Sequence, residues 1–164
     1  MARLVPLMAV MLAVAPAALA QSKAIGRYND WRVFTEGEGR NMVCFAAVEP
    51  NDMAPKSATH GEVTFYVAAF KSGAATSQPS LRVGYTLRTD LAPQAVIGRD
   101  KFPMFASGQE AFFPDDLEKP LVEALKKGQE LRVEAASVKD ARTAYHFSLK
   151  GSRDAIDKAR DLCR

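Results

Sequence analysis

Two cysteines, far apart along the chain, constrain this sequence more than any other feature. Cys44 lies near the start of the predicted folded part, and Cys163 is the penultimate residue. If the chain is exported, two cysteines predict a disulfide, which here would tie the C-terminal segment to an early strand. Closing a loop of about 120 residues stabilises a fold by about 5 kcal/mol on the chain-entropy model. The alternative is a pair of buried free thiols that never meet.

The first twenty residues have the layout of a secretory signal peptide. Arg3 precedes an apolar run over residues 4–14, and the segment ends in small residues at positions 18 and 20. This pattern predicts cleavage between Ala20 and Gln21. The apolar run is shorter than the ~20 residues that a bilayer span needs, so an uncleaved anchor is the weaker alternative. The sequence therefore predicts an exported protein whose mature chain has no transmembrane span.

The charge balance argues against a nucleic-acid partner. The 164 residues carry 22 basic and 19 acidic side chains, and the expected cleavage removes one basic residue, Arg3. So small an excess does not provide the basic stripe that nucleic-acid binding normally requires. A mature chain of this length suits one domain with a real core.

Hydrophobic alternation with a period of two dominates the chain and predicts about eight short strands. The polar residues 21–29 are predicted to be a flexible lead-in, and residues 30–164 a single domain. The candidate strand segments are residues 30–34, 41–48, 62–70, 81–88, 94–97, 101–105, 110–113, 131–135 and 143–150. The segment 41–48 is apolar on both faces, which favours a central strand. Residues 50–61 and 71–80 are predicted to be connections.

Two helices complete the predicted fold. One lies near residues 120–127, with Pro120 at its first position and Gly128 after its end. The other lies near residues 152–162, where Ala155, Ile156, Ala159 and Leu162 share one stripe. Because most strands lack helical crossovers between them, the pattern predicts an all-β antiparallel sandwich rather than a parallel α/β sheet.

Several segments, in this order and spacing, resemble the invasion-associated locus B family of exported Gram-negative envelope proteins. The resemblance covers roughly residues 30 to 163. The matching positions are Trp31, Cys44 and Pro50, the Val83-Gly84-Tyr85 strand, the helix Leu121 to Gly128, the run Phe147 to Gly151, and Cys163. The chain departs from the family pattern at Ser152, where an aromatic residue is usual, and at Phe112-Phe113, which stand where a tryptophan is common.

The resemblance implies a non-catalytic protein that is periplasmic or exported to the cell surface after signal cleavage. It implies interaction with an envelope protein or a host component, with a link to host-cell invasion or envelope integrity in some members. It implies no cofactor and no established enzymatic activity. We therefore expect a protein that acts through its surface.

The residues offer little recognisable chemistry. His60, in a predicted loop, and His146, on a predicted outer strand face, have no metal-ligand spacing and are expected to be solvated. The pair Asp115-Asp116 is expected to start a helix, where carboxylates favour the positive end of the dipole. Because triads assemble in space rather than in sequence, a hydrolase based on one of the histidines stays open, as the least favoured hypothesis.

Two surface hypotheses remain. The first is an outward basic patch for anionic lipid or glycan, formed by Arg82, Arg88, Arg132 and Lys150. The second is a partner or ligand contact at Tyr66, Tyr85, Phe112 and Phe113, with Tyr66, Tyr85 and Phe113 lining a cleft between the sheets or under the short helix. For the apolar cluster of the hairpin, core packing is favoured over a partner contact; its members are Phe102, Met104, Phe105, Phe112 and Phe113.

Overall fold

The computed structural model describes residues 21–164, so the predicted leader and the Ala20 side of the cleavage site lie outside the described residues. The first of two antiparallel sheets has seven strands in the order β1-β2-β3-β5-β6-β10-β9. These strands are β1 Lys23–Tyr28, β2 Trp31–Glu36, β3 Val43–Val48, β5 Thr64–Phe70, β6 Gln78–Arg82, β9 Phe105–Ser107 and β10 Glu110–Phe112. The predicted central position of β3, between β2 and β5, is confirmed.

The second sheet has five strands in the order β4-β12-β11-β7-β8. They are β4 Asp52–Ala54, β7 Gln94–Ile97, β8 Asp100–Pro103, β11 Glu130–Ala136 and β12 Arg142–Ser148. The inner faces of the two sheets share one hydrophobic core. Rings of Phe65 on β5 and Phe147 on β12 meet across it, with centroids 5.9 Å apart. The predicted all-β antiparallel sandwich is confirmed.

The two helices close the sandwich. The first, α1, spans Asp115–Lys127, and the second, α2, spans Ser152–Leu162 and packs chiefly on β2 and β3. The prediction that Pro120 opens α1 is wrong, because the helix begins five residues earlier and Pro120 lies inside it. A proline there costs the helix one backbone hydrogen bond. Within residues 21–164, neither helix combines the length and the apolar character of a bilayer span.

A disulfide joins Cys44 on β3 to Cys163 at the end of α2, which confirms the central prediction. The sulfur atoms are 2.11 Å apart, and the two Cα atoms are 5.8 Å apart across a sequence separation of 119. Cys44 is fully buried. The chain entering the other end of α2 is fixed by Trp31, whose indole nitrogen donates to the carbonyl of Ser148 at 2.9 Å. The C-terminal helix is therefore held to the early strands covalently and by packing.

Three segments that were predicted to be irregular form strands. The expected flexible lead-in, residues 21–29, contains β1, which pairs with β2 along its length. Residues 50–61 contain β4, and the connection 71–80 contains the start of β6, including Pro79. Each of these segments is polar, short or proline-bearing, so its strand conformation comes from backbone pairing with a neighbour rather than from a hydrophobic period.

Candidate aromatic binding face

The outer faces of the two sheets differ in chemistry. On the five-stranded sheet, one cross-strand row consists of Lys101, Val96, Arg132, His146 and Asp52. Along this sheet Arg132 pairs with Glu134, and the Nδ1 atom of His146 lies 2.9 Å from a carboxylate oxygen of Glu130. A charged, ion-paired outer face is usual for an antiparallel sheet that faces water.

The outer face of the seven-stranded sheet is aromatic instead. Six rings lie on it, none of them buried, and we call this surface the aromatic face: Phe34, Phe45, Tyr66, Phe70, Phe105 and Phe112. Neighbouring rings are in contact, with centroids 5.4 Å apart for Phe34–Phe45, 5.7 Å for Phe45–Tyr66 and 5.9 Å for Phe105–Phe112. A contiguous apolar surface of this kind makes the aromatic face the candidate interaction site.

The strand register determines the shape of the aromatic face. Tyr66 on β5 lies between Ala47 on β3 and Ser80 on β6, and Ser80 in turn pairs with Phe112 on β10. The two small residues beside Tyr66 leave depressions on either side of its ring. A shallow groove of about 490 Å³ runs over this part of the sheet. The groove is open along its length, so it suits an extended ligand rather than an enclosed small molecule.

Polar side chains border the rings. Arg82 at the end of β6 is directly opposite Glu110 on β10, and Gln78 and Ser80 line the same groove. Within residues 21–164, the side chains of Arg82 and Glu110 enter no ion pair or hydrogen bond, so both remain available to a ligand. At the opposite margin Arg32 pairs with Glu49, and its guanidinium carbon lies 5.7 Å from the centre of the Phe34 ring.

The structure separates the four predicted contact residues. Tyr66 and Phe112 lie on the same aromatic face, with one strand, β6, between them. Phe113 is only 2% exposed and belongs to the core, because successive residues of a strand point to opposite faces. Tyr85 lies neither on the aromatic face nor inside the core; it is partly buried and packs against the core. The predicted cleft shared by Tyr66, Tyr85 and Phe113 is therefore wrong.

The aromatic cluster of the hairpin divides in the same way. Phe102, Met104 and Phe113 are buried, whereas Phe105 is 51% exposed and packs against Phe112. Core packing is thus confirmed for three of these side chains, and a partner contact stays a prediction for the other two. The sequence prediction left Phe34 and Phe45 out of this face, although the apolar residues on both faces of segment 41–48 already carried the signal for Phe45.

The prediction that His60 is solvated is wrong, because this side chain is only 7% exposed. Its Nε2 atom donates to the carbonyl of Pro55 at 2.9 Å, and its Nδ1 atom hydrogen-bonds with the hydroxyl of Tyr145 at 3.1 Å. That hydroxyl lies 2.9 Å from the hydroxyl of Tyr85, which lies 2.6 Å from Oγ1 of Thr143. Burial, and then the hydrogen bond with Tyr85, raise the pKa of Tyr145 far above its usual range.

This polar chain performs a structural task. It ties the loop around residue 60 and the segment after β6 to strand β12 of the other sheet. Both ring nitrogens of His60 are engaged by groups of the fold itself, and the serine that a hydrolase would need is not among their partners. His146 lies on the outer face of β12 as predicted, and there it is paired with Glu130 rather than freely solvated.

The predicted basic patch is wrong, because its members lie on different surfaces. Arg82 borders the aromatic face, whereas Arg132 lies on the outer face of the other sheet. Arg88 is held by Asp90 and Asp140, since strand β6 ends at Arg82 and the chain turns before Arg88. Lys150 follows β12 in the turn before α2. These side chains therefore offer no common binding site.

The remaining acidic candidates lie on α1. Asp115 and Asp116 are in the first turn of the helix, close to the helix start that the sequence predicts for them. Burial, and then the charge of Asp115, raise the pKa of Glu118 in the same turn. At the other end of α1, Lys126 donates to Asp157 of α2 at 2.7 Å. Within the described range 21–164, no three metal-ligating side chains converge.

No family model matches this chain, and no curated protein or solved structure shows significant similarity to it.

Proposed function

We propose that this chain is a non-catalytic exported envelope protein of the invasion-associated locus B type, which acts by binding a partner through its aromatic face. The observation that carries the proposal is the contrast between the two outer sheet faces. One is charged and ion-paired, and the other presents six unburied rings. Because the hydrophobic effect disfavours contact of neighbouring, partly exposed rings with water, the aromatic face is best explained by a partner that covers it.

Three further features support this proposal. The leader over residues 1–20 has the layout of an export signal. The disulfide fits an oxidising compartment such as the periplasm or the cell surface. The side chains that offered chemistry have structural partners instead: His60 holds the Pro55 carbonyl, His146 pairs with Glu130, and the Asp115 pair begins a helix.

Co-sedimentation of the purified, oxidised protein with isolated cell envelopes tests the proposal. We expect the Tyr66→Ser and Phe112→Ser variants to lose sedimentation, because both rings lie on the aromatic face. The control is Val138→Ser, which removes a more exposed apolar side chain from a loop; Val138 is 57% exposed. Equal sedimentation of the wild type and the two aromatic-face variants would refute a role for this face.

A further inference from the structure

We infer that the partner of the aromatic face is an uncharged polysaccharide. This inference rests on the proposed function, because it identifies what the same face binds. A pyranose ring has one face of C–H groups and an edge of hydroxyls. It therefore needs an aromatic platform with hydrogen-bonding groups beside it, which is the combination found along β5, β6 and β10.

The row through Tyr66 provides that platform. Ala47 and Ser80 on either side of Tyr66 are too small to cover its ring, and Phe112 stands one strand beyond Ser80. Tyr66 and Phe112 are thus separated by two strand spacings, about 10 Å. Two rings on either side of a small residue can contact successive parts of an extended chain that crosses the strands.

The polar groups of the groove match hydroxyls better than they match ions. Arg82 and Glu110 face each other, so the donor and the acceptor bring opposite charges to the same position. Arg32 is likewise balanced by Glu49. An anionic or cationic polymer would be attracted by one member of each pair and repelled by the other, whereas neutral hydroxyls can bond to both.

A peptide fits this face less well. All the central strands of the sheet have their backbone N–H and C=O groups paired with neighbouring strands. The main chain of a peptide laid across the rings would therefore find few hydrogen-bond partners, which is costly once water is excluded. Peptides that add to a sheet bind at an edge strand, where backbone groups are free.

The size of the face also argues against a stable dimer of this chain. The row from β2 to β9 spans about 24 Å, and the outward residues of β5 extend about 20 Å along the strand. The resulting surface of a few hundred Å² is smaller than the ~800 Å² per partner of a standard protein interface. It is large enough for several sugar rings.

Titration calorimetry with chitohexaose, an uncharged chain of N-acetylglucosamine, tests the inference directly. We expect Tyr66→Ala and Phe112→Ala to raise the dissociation constant about tenfold or more, as loss of a central aromatic contact does. Arg82→Ala alters only an exposed side chain, so it should fold normally and weaken binding several-fold. Val138→Ser should bind like the wild type. Absence of binding at millimolar chitohexaose, or equal affinity of all variants, would overturn the inference.

Competition and protease treatment separate this inference from the proposed function. If an uncharged polysaccharide is the partner, millimolar chitohexaose should compete with the envelopes and reduce co-sedimentation, and protease treatment of the envelopes should leave it intact. If protease abolishes co-sedimentation and chitohexaose does not compete, the glycan inference fails while surface binding stands, provided that Tyr66→Ala still reduces binding. If Tyr66→Ala binds untreated envelopes like the wild type, both fail.

Discussion

Gly84 and Gly61 cross in direct backbone contact: a Cβ atom on Gly84 would lie 2.6 Å from the Cα atom of Gly61. The amide of Gly84 also donates to the carbonyl of His60 at 3.1 Å. This crossing places the loop that holds His60 against the chain that leaves β6. It also explains why the strand predicted over residues 81–88 ends at Arg82.

We expect Gly84→Ala to destabilise the protein by about 2 kcal/mol or more, since backbone atoms cannot move aside as a side chain can. The measurement is the midpoint of urea denaturation under oxidising conditions. Gly26→Ala is the matched control, because its new Cβ would meet only the Tyr28 ring at an ordinary 3.6 Å. Equal midpoints for the two variants would contradict the tight crossing.

The bond between Cys44 and Cys163 closes most of the chain into one loop, with a separation of 119 residues. We expect Cys44→Ser to lower the free energy of unfolding by about 4–5 kcal/mol relative to the oxidised wild type. Thermal and urea denaturation without reductant measure this loss, and the Cys44→Ser,Cys163→Ser double variant controls for the remaining thiol. A melting temperature unchanged from wild type would mean that the bond does not contribute to stability.

Tyr145→Phe should destabilise the protein by about 1–3 kcal/mol at neutral pH, because it removes the hydroxyl that joins His60 to Tyr85. Its effect should also depend on pH. The folded state raises the pKa of Tyr145, so it retains a proton that the unfolded state loses above about pH 10. This contribution is complete below that pH and is lost as the pH rises further.

Urea denaturation between pH 8 and pH 11 measures this dependence. The wild type should lose stability above about pH 10 more steeply than Tyr145→Phe. Tyr66→Phe, which removes a hydroxyl from the outer face, should keep the wild-type slope. Identical slopes for wild type and Tyr145→Phe would show that the buried phenol does not govern the alkaline limit.

Lys126→Met tests the contact between the two helices. Burial opposes ionisation of Asp157, but the hydrogen bond and charge of Lys126, with Arg160 and Arg153, outweigh it and lower its pKa. A carboxyl whose pKa is lower in the folded state stabilises the fold at pH values above its unfolded-state pKa. This contribution disappears as the pH falls through its folded-state pKa.

We therefore expect Lys126→Met to lose about 1 kcal/mol at neutral pH, a modest value because Asp157 is partly solvated. The variant should also lose less further stability than the wild type between pH 5 and pH 2. Lys127→Met is the control, because the ion pair of Lys127 with Glu123, with the charged atoms 3.3 Å apart, lies between two exposed side chains. Acid denaturation followed by circular dichroism distinguishes the two variants.

The fold class was predictable because burial imposes a period of two on strands such as β5 and β12. The disulfide was predictable because two cysteines pair by default in a chain whose sequence predicts export. Strand β1 was not predictable in this way. Most of its side chains are exposed, so its conformation depends on pairing with β2 rather than on its own sequence. The break at Gly84 depends on contact with Gly61, which is distant in sequence.

The candidate site was predictable in part. Tyr66 and Phe112 were identified as contact residues, but the sequence does not show that β5 and β10 flank the same strand, β6. Phe113 was assigned to the contact surface because composition does not reveal which of two adjacent phenylalanines points inward. The pairing of Phe34 with Phe45 follows from the β2–β3 register, which sequence periodicity leaves undetermined.

The covalent ring formed through Cys44 and Cys163 has a consequence for proteolysis. A protease that cuts one exposed loop, such as the turn at Gly73, would leave both pieces attached to each other through sulfur. The nicked molecule would gain only the mass of one water and separate into fragments only after reduction. A single cleavage within the ring would therefore not release any part of the protein from the rest.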